Sequence, residues 1–361
     1  MPHPSCAVEA APRDCFSPNG YVLEYLPQKP LSEISTVPIN SPIHLYSSMI
    51  PRTLRSAFMT LLYISIAIAM LLAILAYALA NPILGKPAFP PQKPIEVSVE
   101  QLKKDVYYLA EDCYPRSYHH PGQLQKAAEY IKKRFESLGY EVEEQRYEAE
   151  GSPQRNLIAR VGPEKGPCLV VGAHYDVHGE QPGADDNASA VAGLLEVARL
   201  LKENDDQLQV PVELVSYSLE EQTFFRSKLM GSYIHAASLK ASGRKVRGMV
   251  CLEMIGYFSD APHSQRFPVA ALGAIYPTKG NFITVVGQLG QGAFTKEVKK
   301  RMKSASDLPV VSINAPKTIR GIDLSDHRNY WKMGYRAVMV TNTAFFRNPH
   351  YHQPSDTPET L

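Results

Sequence analysis

Four apolar runs of this chain have the length and composition of β-strands, and a carboxylate or a histidine follows each of them. The runs are residues 168–173, 212–219, 246–252 and 336–341. The side chains that follow are His174, Glu220 with Glu221, Glu253, and His350 with His352. In an open α/β sheet the carboxyl ends of the strands form the usual binding crevice. The pattern therefore favours a fold in which these distant residues meet at one sheet edge.

Segments with helical periodicity alternate with the strand-like runs. Residues 122–138 and 189–201 repeat apolar side chains at helical spacing, and Gly139 is placed to end the first of these helices. Further strands are predicted at 140–147, 156–161, 282–287 and 308–313, and a further helix at 293–303. The region from residue 97 onward is therefore predicted to be an α/β domain.

The residues at the strand ends are of the types that bind zinc. Zinc takes histidine nitrogens and carboxylate oxygens, and a catalytic zinc leaves a position open for water. Two ions about 4 Å apart need a shared ligand, which a carboxylate with two oxygens can supply. We expect Asp185 of the Gly-Ala-Asp-Asp-Asn turn to be that bridge. His174 and Glu253 would complete one ion's ligands, and Glu221 and His352 the other's.

Two further carboxylates have expected roles beside this site. Glu220 is adjacent to a predicted ligand but faces the other side of the backbone, so it is free to take a proton from a bridging water. Asp176 shares a strand face with His174 and is placed to accept the second N–H of that imidazole. Both are predicted to serve catalysis.

The order of motifs resembles one family. His-x-Asp, Gly-Ala-Asp-Asp-Asn, Glu-Glu, Leu-Glu-Met-Ile-Gly, Ser-Asp-His and His-x-x-x-Asp-Thr occur in the order found in co-catalytic zinc exopeptidases of the bacterial leucyl aminopeptidase and aminopeptidase Y type. Relatives include glutamate carboxypeptidase II and glutaminyl cyclase. The resemblance covers residues 97–361. It implies a mixed, mostly parallel sheet flanked by helices, two zinc ions, and removal of N-terminal residues from peptide substrates. The implied ligands are His174, Asp185, Glu221, Glu253 and His352, with Glu220 as the general base.

Three features depart from that family. Glu253 stands where most relatives have aspartate, and its extra methylene is expected to move the second zinc ion or weaken its site. Ile322 occupies the position of a tyrosine that helps some members to hold the reacting oxygen, so another donor or the zinc itself must polarise the carbonyl. The sequence ends at Leu361, where relatives usually continue into a further helix, which leaves open that it is a fragment.

Other reactive side chains have ordinary structural interpretations. A lone histidine at a strand end is usually a satisfied polar residue, and this applies to His119, His120, His178, His235 and His350. His327 is left open between a structural role and a substrate contact. Ser189 and Ser325 lack the Gly-x-Ser-x-Gly elbow of a serine nucleophile, and Cys251 is expected in the core.

An uncharged apolar run at residues 57–80 is long enough to cross a bilayer of roughly 30 Å as a helix. Arg52 and Arg55 precede it, which predicts a cytoplasmic N-terminus. In the competing interpretation the segment is a signal sequence cleaved near Ala80. Both interpretations place the following domain outside the cytoplasm.

The domain prediction follows from these segments. Residues 1–56 are expected to form a disordered cytoplasmic tail, 57–80 the transmembrane helix, 81–96 a Pro-rich linker and 97–361 the zinc exopeptidase domain. With 38 Lys and Arg against 36 Asp and Glu, no basic stripe suggests a nucleic-acid partner. The expected partners are peptides and, through one helix, the membrane.

Three rival functions remain at the level of sequence. A carboxypeptidase or dipeptidase needs a cationic clamp, for which Arg320, Arg328 and Arg347 are candidates. A one-zinc glutaminyl cyclase is disfavoured because His174 and the Asp-Asp pair are kept. A catalytically silent binding ectodomain would be expected to have lost ligands. The segment 257–281 is expected either to shape the substrate pocket or to be a surface excursion.

Overall fold

The computed structural model describes residues 52–80 and 95–361. Most of the predicted tail and of the linker therefore lies outside the described residues. The first described element is helix α1, Arg52–Ala80. Its segment Thr53–Ile74 has a mean hydropathy of 2.5 and none of it is buried. By length and composition, α1 is able to cross a membrane.

The second described part, from Ile95 onward, alternates strands and helices. The strands are β1 Val142–Ala149, β2 Ser152–Val161, β3 Cys168–His174, β4 Val212–Tyr217, β5 Val246–Glu253, β6 Ile283–Gln288, β7 Val310–Ala315 and β8 Ala337–Thr341. The helices are α2 Val99–Tyr107, α3 Pro121–Ser137, α4 Ala190–Glu203, α5 Gly231–Ala241, α6 Gly292–Ala305 and α7 His327–Lys332.

The eight strands form one mixed sheet in the order β1-β2-β4-β3-β5-β8-β6-β7. The central strands β4, β3, β5 and β8 run parallel to one another, and so do β6 and β7. The antiparallel pairs are β1 with β2, β2 with β4, and β6 with β8. The predicted mixed, mostly parallel sheet is thus confirmed.

Helices cover both faces of the sheet because neighbouring strand residues point to opposite sides. Leu157 and Leu214 pack with α3 and α4 in one apolar cluster. Their neighbours Ile158 and Val215 pack with α5 and α7 in another. The flanking helices predicted from periodicity are therefore present, with core residues on both sides.

Several predicted elements have recognisable ends. Helix α3 ends with Gly139 at φ +82°, and the Gly139 and Tyr140 N–H groups donate to the carbonyls of Glu136 and Phe135. This is the Schellman arrangement expected of glycine at that place. Helix α2, which sequence periodicity did not predict, begins at Ser98, whose Oγ accepts the N–H of Gln101 at 3.3 Å.

Candidate metal centre

The carboxyl ends of the central parallel strands meet at one sheet edge. His174 is the last residue of β3 and Glu253 the last of β5. Glu220 and Glu221 follow β4, and His352 follows β8. All five side chains come together, as the strand-end pattern predicted.

The carboxylate of Asp186 lies between the two histidines. Its Oδ1 is 3.5 Å from Nε2 of His174, and its Oδ2 is 3.2 Å from Nε2 of His352. His174, Asp186 and Glu221 each offer a donor atom within 4.8 Å of the others. One carboxylate therefore faces a histidine with each of its oxygens.

A glutamate accompanies each histidine. Glu253 Oε2 is 3.4 Å from His174 Nε2, and Glu221 Oε1 is 3.2 Å from His352 Nε2. The arrangement is two histidine-glutamate pairs on either side of Asp186. Glu253 reaches the cluster despite the extra methylene that distinguishes glutamate from aspartate.

Asp185, which the sequence analysis expected at the centre, lies outside the cluster. Its carboxylate accepts hydrogen bonds from two backbone N–H groups, one hydroxyl and two amides. The donors are Gly256 N, Tyr257 N, Ser189 Oγ, Asn342 Nδ2 and Asn348 Nδ2, at 2.8 to 3.2 Å. These bonds occupy its oxygens, so we correct the expectation for Asp185 and place Asp186 between the histidines.

The turn that carries Asp186 is fixed from three sides. The Asp356 carboxylate accepts the N–H groups of Asp185 and Asp186, each at 3.0 Å. Gly183 has φ +60°, and a Cβ there would overlap the Asp186 carbonyl oxygen. Asn187 accepts the Met254 N–H at 2.9 Å, so it links this turn to the end of β5.

Arg116 is a structural residue of the site that the sequence analysis missed. Its guanidinium is fully buried and donates to four backbone carbonyls. The acceptors are Leu109, Tyr175, Pro182 and Gly183, at 2.5 to 2.9 Å. It thereby holds both ends of the segment between β3 and Asp186. A single arginine in an irregular segment gives no sequence signal of this role.

Asp176 contacts the centre through its neighbours. Its two oxygens accept the N–H groups of Glu220 and Glu221, at 3.1 and 3.0 Å. Nδ1 of His174 lies 3.3 Å from Asp176 Oδ1 and 3.1 Å from its carbonyl oxygen. The geometry is that of a residue that orients His174 and the Glu220-Glu221 pair.

The centre has an excess of buried negative charge. Burial, together with neighbouring carboxylates, raises the pKa of Glu220 well above its ordinary value and that of Glu221 to about 7. Although burial acts in the opposite direction, the adjacent carboxylates raise the pKa of His352 to about 10. Asp186 Oδ1 is buried and makes no hydrogen bond. The donor types and this orphaned oxygen fit divalent cations.

Glu253 is also held from behind. Ser325 Oγ donates to Glu253 Oε2 at 2.6 Å, and Cys251 Sγ lies 3.2 Å from that hydroxyl oxygen. Both side chains are buried. Ser325 therefore orients a carboxylate, and Cys251 lies in the core as its strand position indicated.

Four further histidines differ in whether they contact the metal centre. His178 stacks on His352 with ring centroids 4.1 Å apart. His327 is buried with Nε2 2.8 Å from the Ile322 carbonyl, and His235 contacts Tyr330. His350 Nδ1 is 2.9 Å from Ser355 Oγ. Among these four histidines, only His178 contacts the cluster.

An apolar cavity of about 100 Å³ adjoins the centre. Glu253, Ile322 and Tyr351 form part of its wall. The segment 257–281 contributes Gln265, Arg266, Phe267, Pro268, Leu272 and Tyr276. This segment therefore borders the site.

The three arginines considered as carboxylate clamps differ in their surroundings. Arg328 lies beside Asp323, with its Nε 3.1 Å from the Asp323 carbonyl. Arg347 is buried, bonds Gln265 and packs over the ring of Phe282. Arg320 alone of the three lines the cavity, exposed and over the ring of Phe345.

Comparison of the sequence with known families decides the class. The profile of peptidase family M28 matches residues 156–361, more than half of the chain. The chain belongs to peptidase family M28. The expected membership of the zinc exopeptidases, and with it the hydrolase class, is confirmed.

Relatives of this M28 peptidase include proteins with and without a stated activity. The uncharacterized protein YfbL of Escherichia coli is 47% identical over 282 residues, which are 75% of this chain and 85% of that protein. Leucine aminopeptidase 1 of Fusarium vanettenii is 29% identical over 215 residues, 56% of this chain. The chain spans about half (49%) of that leucine aminopeptidase.

Solved structures share the fold. The LapA aminopeptidase of Legionella pneumophila has a TM-score of 0.57 at 19% identity, covering 77% of this chain and 71% of LapA. The glutaminyl cyclase of Porphyromonas gingivalis has a TM-score of 0.55 at 18% identity, covering 73% of this chain and 92% of the cyclase. At these identities the likeness shows the α/β fold of the M28 peptidase and nothing finer.

Proposed function

We propose that this M28 peptidase is a zinc-dependent aminopeptidase with two ions in its centre. His174, Asp186 and Glu253 would hold one ion, and His352, Asp186 and Glu221 the other. The observation that carries this proposal is the position of Asp186, whose two oxygens lie 3.5 and 3.2 Å from two different histidines. A shared carboxylate is what a pair of adjacent ions requires.

Bound zinc would polarise the scissile carbonyl and lower the pKa of the attacking water. Glu220 would take the proton of that water and return it to the leaving amine. Its buried carboxyl has a raised pKa, and a general base works best when its pKa lies near the working pH. Asp176 would keep Glu220 in place through its bond to the Glu220 N–H.

The apolar cavity would receive the side chain of the N-terminal residue. Aromatic and aliphatic side chains form most of its wall, including Phe267, Tyr276, Phe282, Met339 and Phe346. Since removing apolar surface from water is favourable, we propose a preference for large apolar N-terminal residues. The carboxylates beside the cavity suit a protonated α-amine.

The arginine surroundings favour an aminopeptidase over a carboxypeptidase. Nε of Arg328 bonds the Asp323 carbonyl and Nε of Arg347 bonds Gln265, and neither side chain lines the cavity. Arg320 is exposed at the cavity and is the remaining candidate for a clamp. Its replacement by alanine should leave cleavage of long peptides unchanged if the α-amine, and not a carboxylate, is recognised.

We further propose that α1 anchors the chain with its N-terminus in the cytoplasm and the peptidase domain on the other side. Arg52 and Arg55 lie at the start of α1, and positive charge at one end of a span marks the cytoplasmic side. Peptides outside the cytoplasm would then be the substrates.

The experiment is residue release from matched free-amine and N-acetylated peptides by the full chain in detergent. We expect loss of N-terminal residues from the free-amine set only, abolished by a chelator and restored by zinc. Release from the C-terminus, or conversion of N-terminal glutamine to pyroglutamate without cleavage, would replace the proposal with a carboxypeptidase or a cyclase. Bound zinc without either activity would indicate a binding ectodomain.

A further inference from the structure

The imidazole of His352 lies between two nearly parallel rings. The ring centroid of His178 is 4.1 Å away with an interplanar angle of 9°, and that of Tyr351 is 3.8 Å away at 18°. Two rings this close to one imidazole and nearly parallel to it would overlap if they shared a face. His178 and Tyr351 therefore occupy opposite faces of His352.

A hydrogen bond ties the same two segments together. Gln181 Nε2 donates to the His352 carbonyl oxygen at 2.8 Å and lies 3.4 Å from Nδ1 of His178. His178 and Gln181 belong to the segment between His174 and Asp186, whereas His352 comes from the far end of the chain. The stack thus joins one side of the centre to the other.

His178 contacts the centre through the face of its ring, which stacks on that of His352. Its Nδ1 lies 3.4 Å from Gln181 Nε2. On the other face, Tyr351 is packed against Phe345, with centroids 5.4 Å apart. Since His352 is covered on both faces, the rotation of its ring is restricted and Nε2 stays directed at Glu221 and Asp186.

We propose that His178 is a positioning residue for the His352 half of the metal centre. Its imidazole face holds the His352 ring in the orientation in which Nε2 faces Glu221 and Asp186. This inference rests on the proposed two-ion centre. It assigns a role to a histidine that sequence pattern alone treated as an ordinary polar residue.

The test uses the full chain in detergent and cobalt(II) as a spectroscopic probe of each metal position. The variants are His178→Ala, His178→Phe and, as a matched histidine control, the exposed His119→Ala. We expect His178→Ala to lower the cobalt affinity of one of the two positions by about 10-fold, as loss of a residue that supports a metal ligand typically does. His178→Phe keeps a ring on His352 and should restore wild-type binding, and His119→Ala should match wild type.

Two results would overturn the proposal. Unchanged cobalt binding in His178→Ala would show that the ring is dispensable, and equal weakening in the Ala and Phe variants would assign the role to a nitrogen instead. A second readout works without metal: NMR of His352 ring protons, which stacked rings shift to lower frequency. That shift should be reduced in His178→Ala, where Tyr351 alone still stacks on His352, and should keep its wild-type size in His178→Phe. If wild type binds no cobalt, the two-ion centre fails while the NMR shift still decides the stack.

Discussion

Asp185 and Asp186 are neighbours with identical side chains and different surroundings. Asp185 has its oxygens filled by donors from three segments of the chain, whereas Asp186 keeps one oxygen without a hydrogen bond. A carboxylate that is fully hydrogen-bonded stabilises the protein, and one with free lone pairs is available to a cation. Asp185 therefore has a structural role, whereas its neighbour Asp186 is available to bind metal.

This difference predicts opposite results for two conservative variants. Asp186→Asn should lower zinc affinity by more than about 100-fold, because loss of a residue that only supports a metal ligand already costs about 10- to 100-fold. The metal-free variant should unfold at or above the wild-type temperature. Asp185→Asn should bind zinc at saturation but lose about 1–3 kcal/mol of stability, because buried donors lose an acceptor. Zinc titration and thermal unfolding in chelator measure both quantities. The reverse pattern would return the bridging role to Asp185.

Glu220 gives a second prediction at the residue scale. Glu220→Gln should retain wild-type zinc content and lower kcat by about 10²- to 10⁴-fold, because the amide cannot accept the proton of water. Metal analysis and steady-state kinetics on the same preparation separate the two effects, with the exposed Glu164→Gln as control. Turnover close to wild type would remove Glu220 from the mechanism.

The sequence could place residues at the sheet edge where strand direction decides position. His174 and Glu253 end parallel strands, Glu221 and His352 follow such strands, and the sheet brings these ends together. Asp185 and Asp186 lie in a turn, where no periodicity says which neighbour points inward. His178 and Arg116 act through a stack and through carbonyl contacts across the fold, so nothing in their local sequence marks them.

At the element scale, the segment between β3 and α4 depends on Arg116. Its guanidinium donates to four backbone carbonyls, of which that of Gly183 also accepts the Ala188 N–H. Because Asp176 and Asp186 lie at the two ends of this segment, its conformation sets the distance between the halves of the centre. The same segment carries His178 and Gln181, so stability and metal geometry are coupled here.

Replacing Arg116 should therefore affect the whole segment. We expect Arg116→Ala to destabilise the domain by at least about 3 kcal/mol, since several buried carbonyls lose their donors. Arg116→Lys should recover only part, because one ammonium lacks the planar spread of five N–H donors. The exposed Arg146→Ala should change stability by less than about 1 kcal/mol. Denaturant unfolding of zinc-free protein gives these differences, and a wild-type midpoint for Arg116→Ala would refute the role.

The elements themselves were predictable to different degrees. The strands and the long helices α3, α4 and α6 show the apolar periodicity of their class, and their ends fall within a few residues of the predicted ones. Helix α7 has only six residues, too few for a helical repeat to show. Helix α5 begins with Gly231, whose Cβ position is filled by Asn156 and Ser218. Tertiary packing determines where α5 and α7 form, so the sequence pattern could not predict them.

At the scale of the whole domain, several buried carboxyls of the metal-free protein have raised pKa values. Burial is the main cause that raises the pKa of Glu221, Asp326 and Asp356, each to about 7. A carboxyl whose folded pKa exceeds its unfolded value stabilises the fold when protonated, and that contribution is lost as pH rises through the folded pKa. His352, raised to about 10, acts in the same sense at higher pH.

The unfolding temperature of the chelator-treated protein should therefore fall by several degrees between about pH 5 and pH 8. Zinc should remove most of this fall in unfolding temperature. The bound metal displaces protons from the carboxyls of the centre and compensates their negative charge. Scanning calorimetry at both pH values, with and without zinc, measures the effect. A metal-free protein that is more stable at pH 8 than at pH 5 would show that these carboxyls titrate normally.

The last prediction concerns α1, whose 22-residue core exposes apolar side chains throughout. In water such a surface is unfavourable, whereas in a bilayer it is solvated and every backbone group is satisfied within the helix. We expect the full chain to remain in membranes after alkaline carbonate washing and to retain Met1 by N-terminal analysis. Added protease should reach the peptidase domain only from the non-cytoplasmic side. Release of a chain that starts near Asn81 would instead identify α1 as a signal sequence and make the mature peptidase a secreted enzyme.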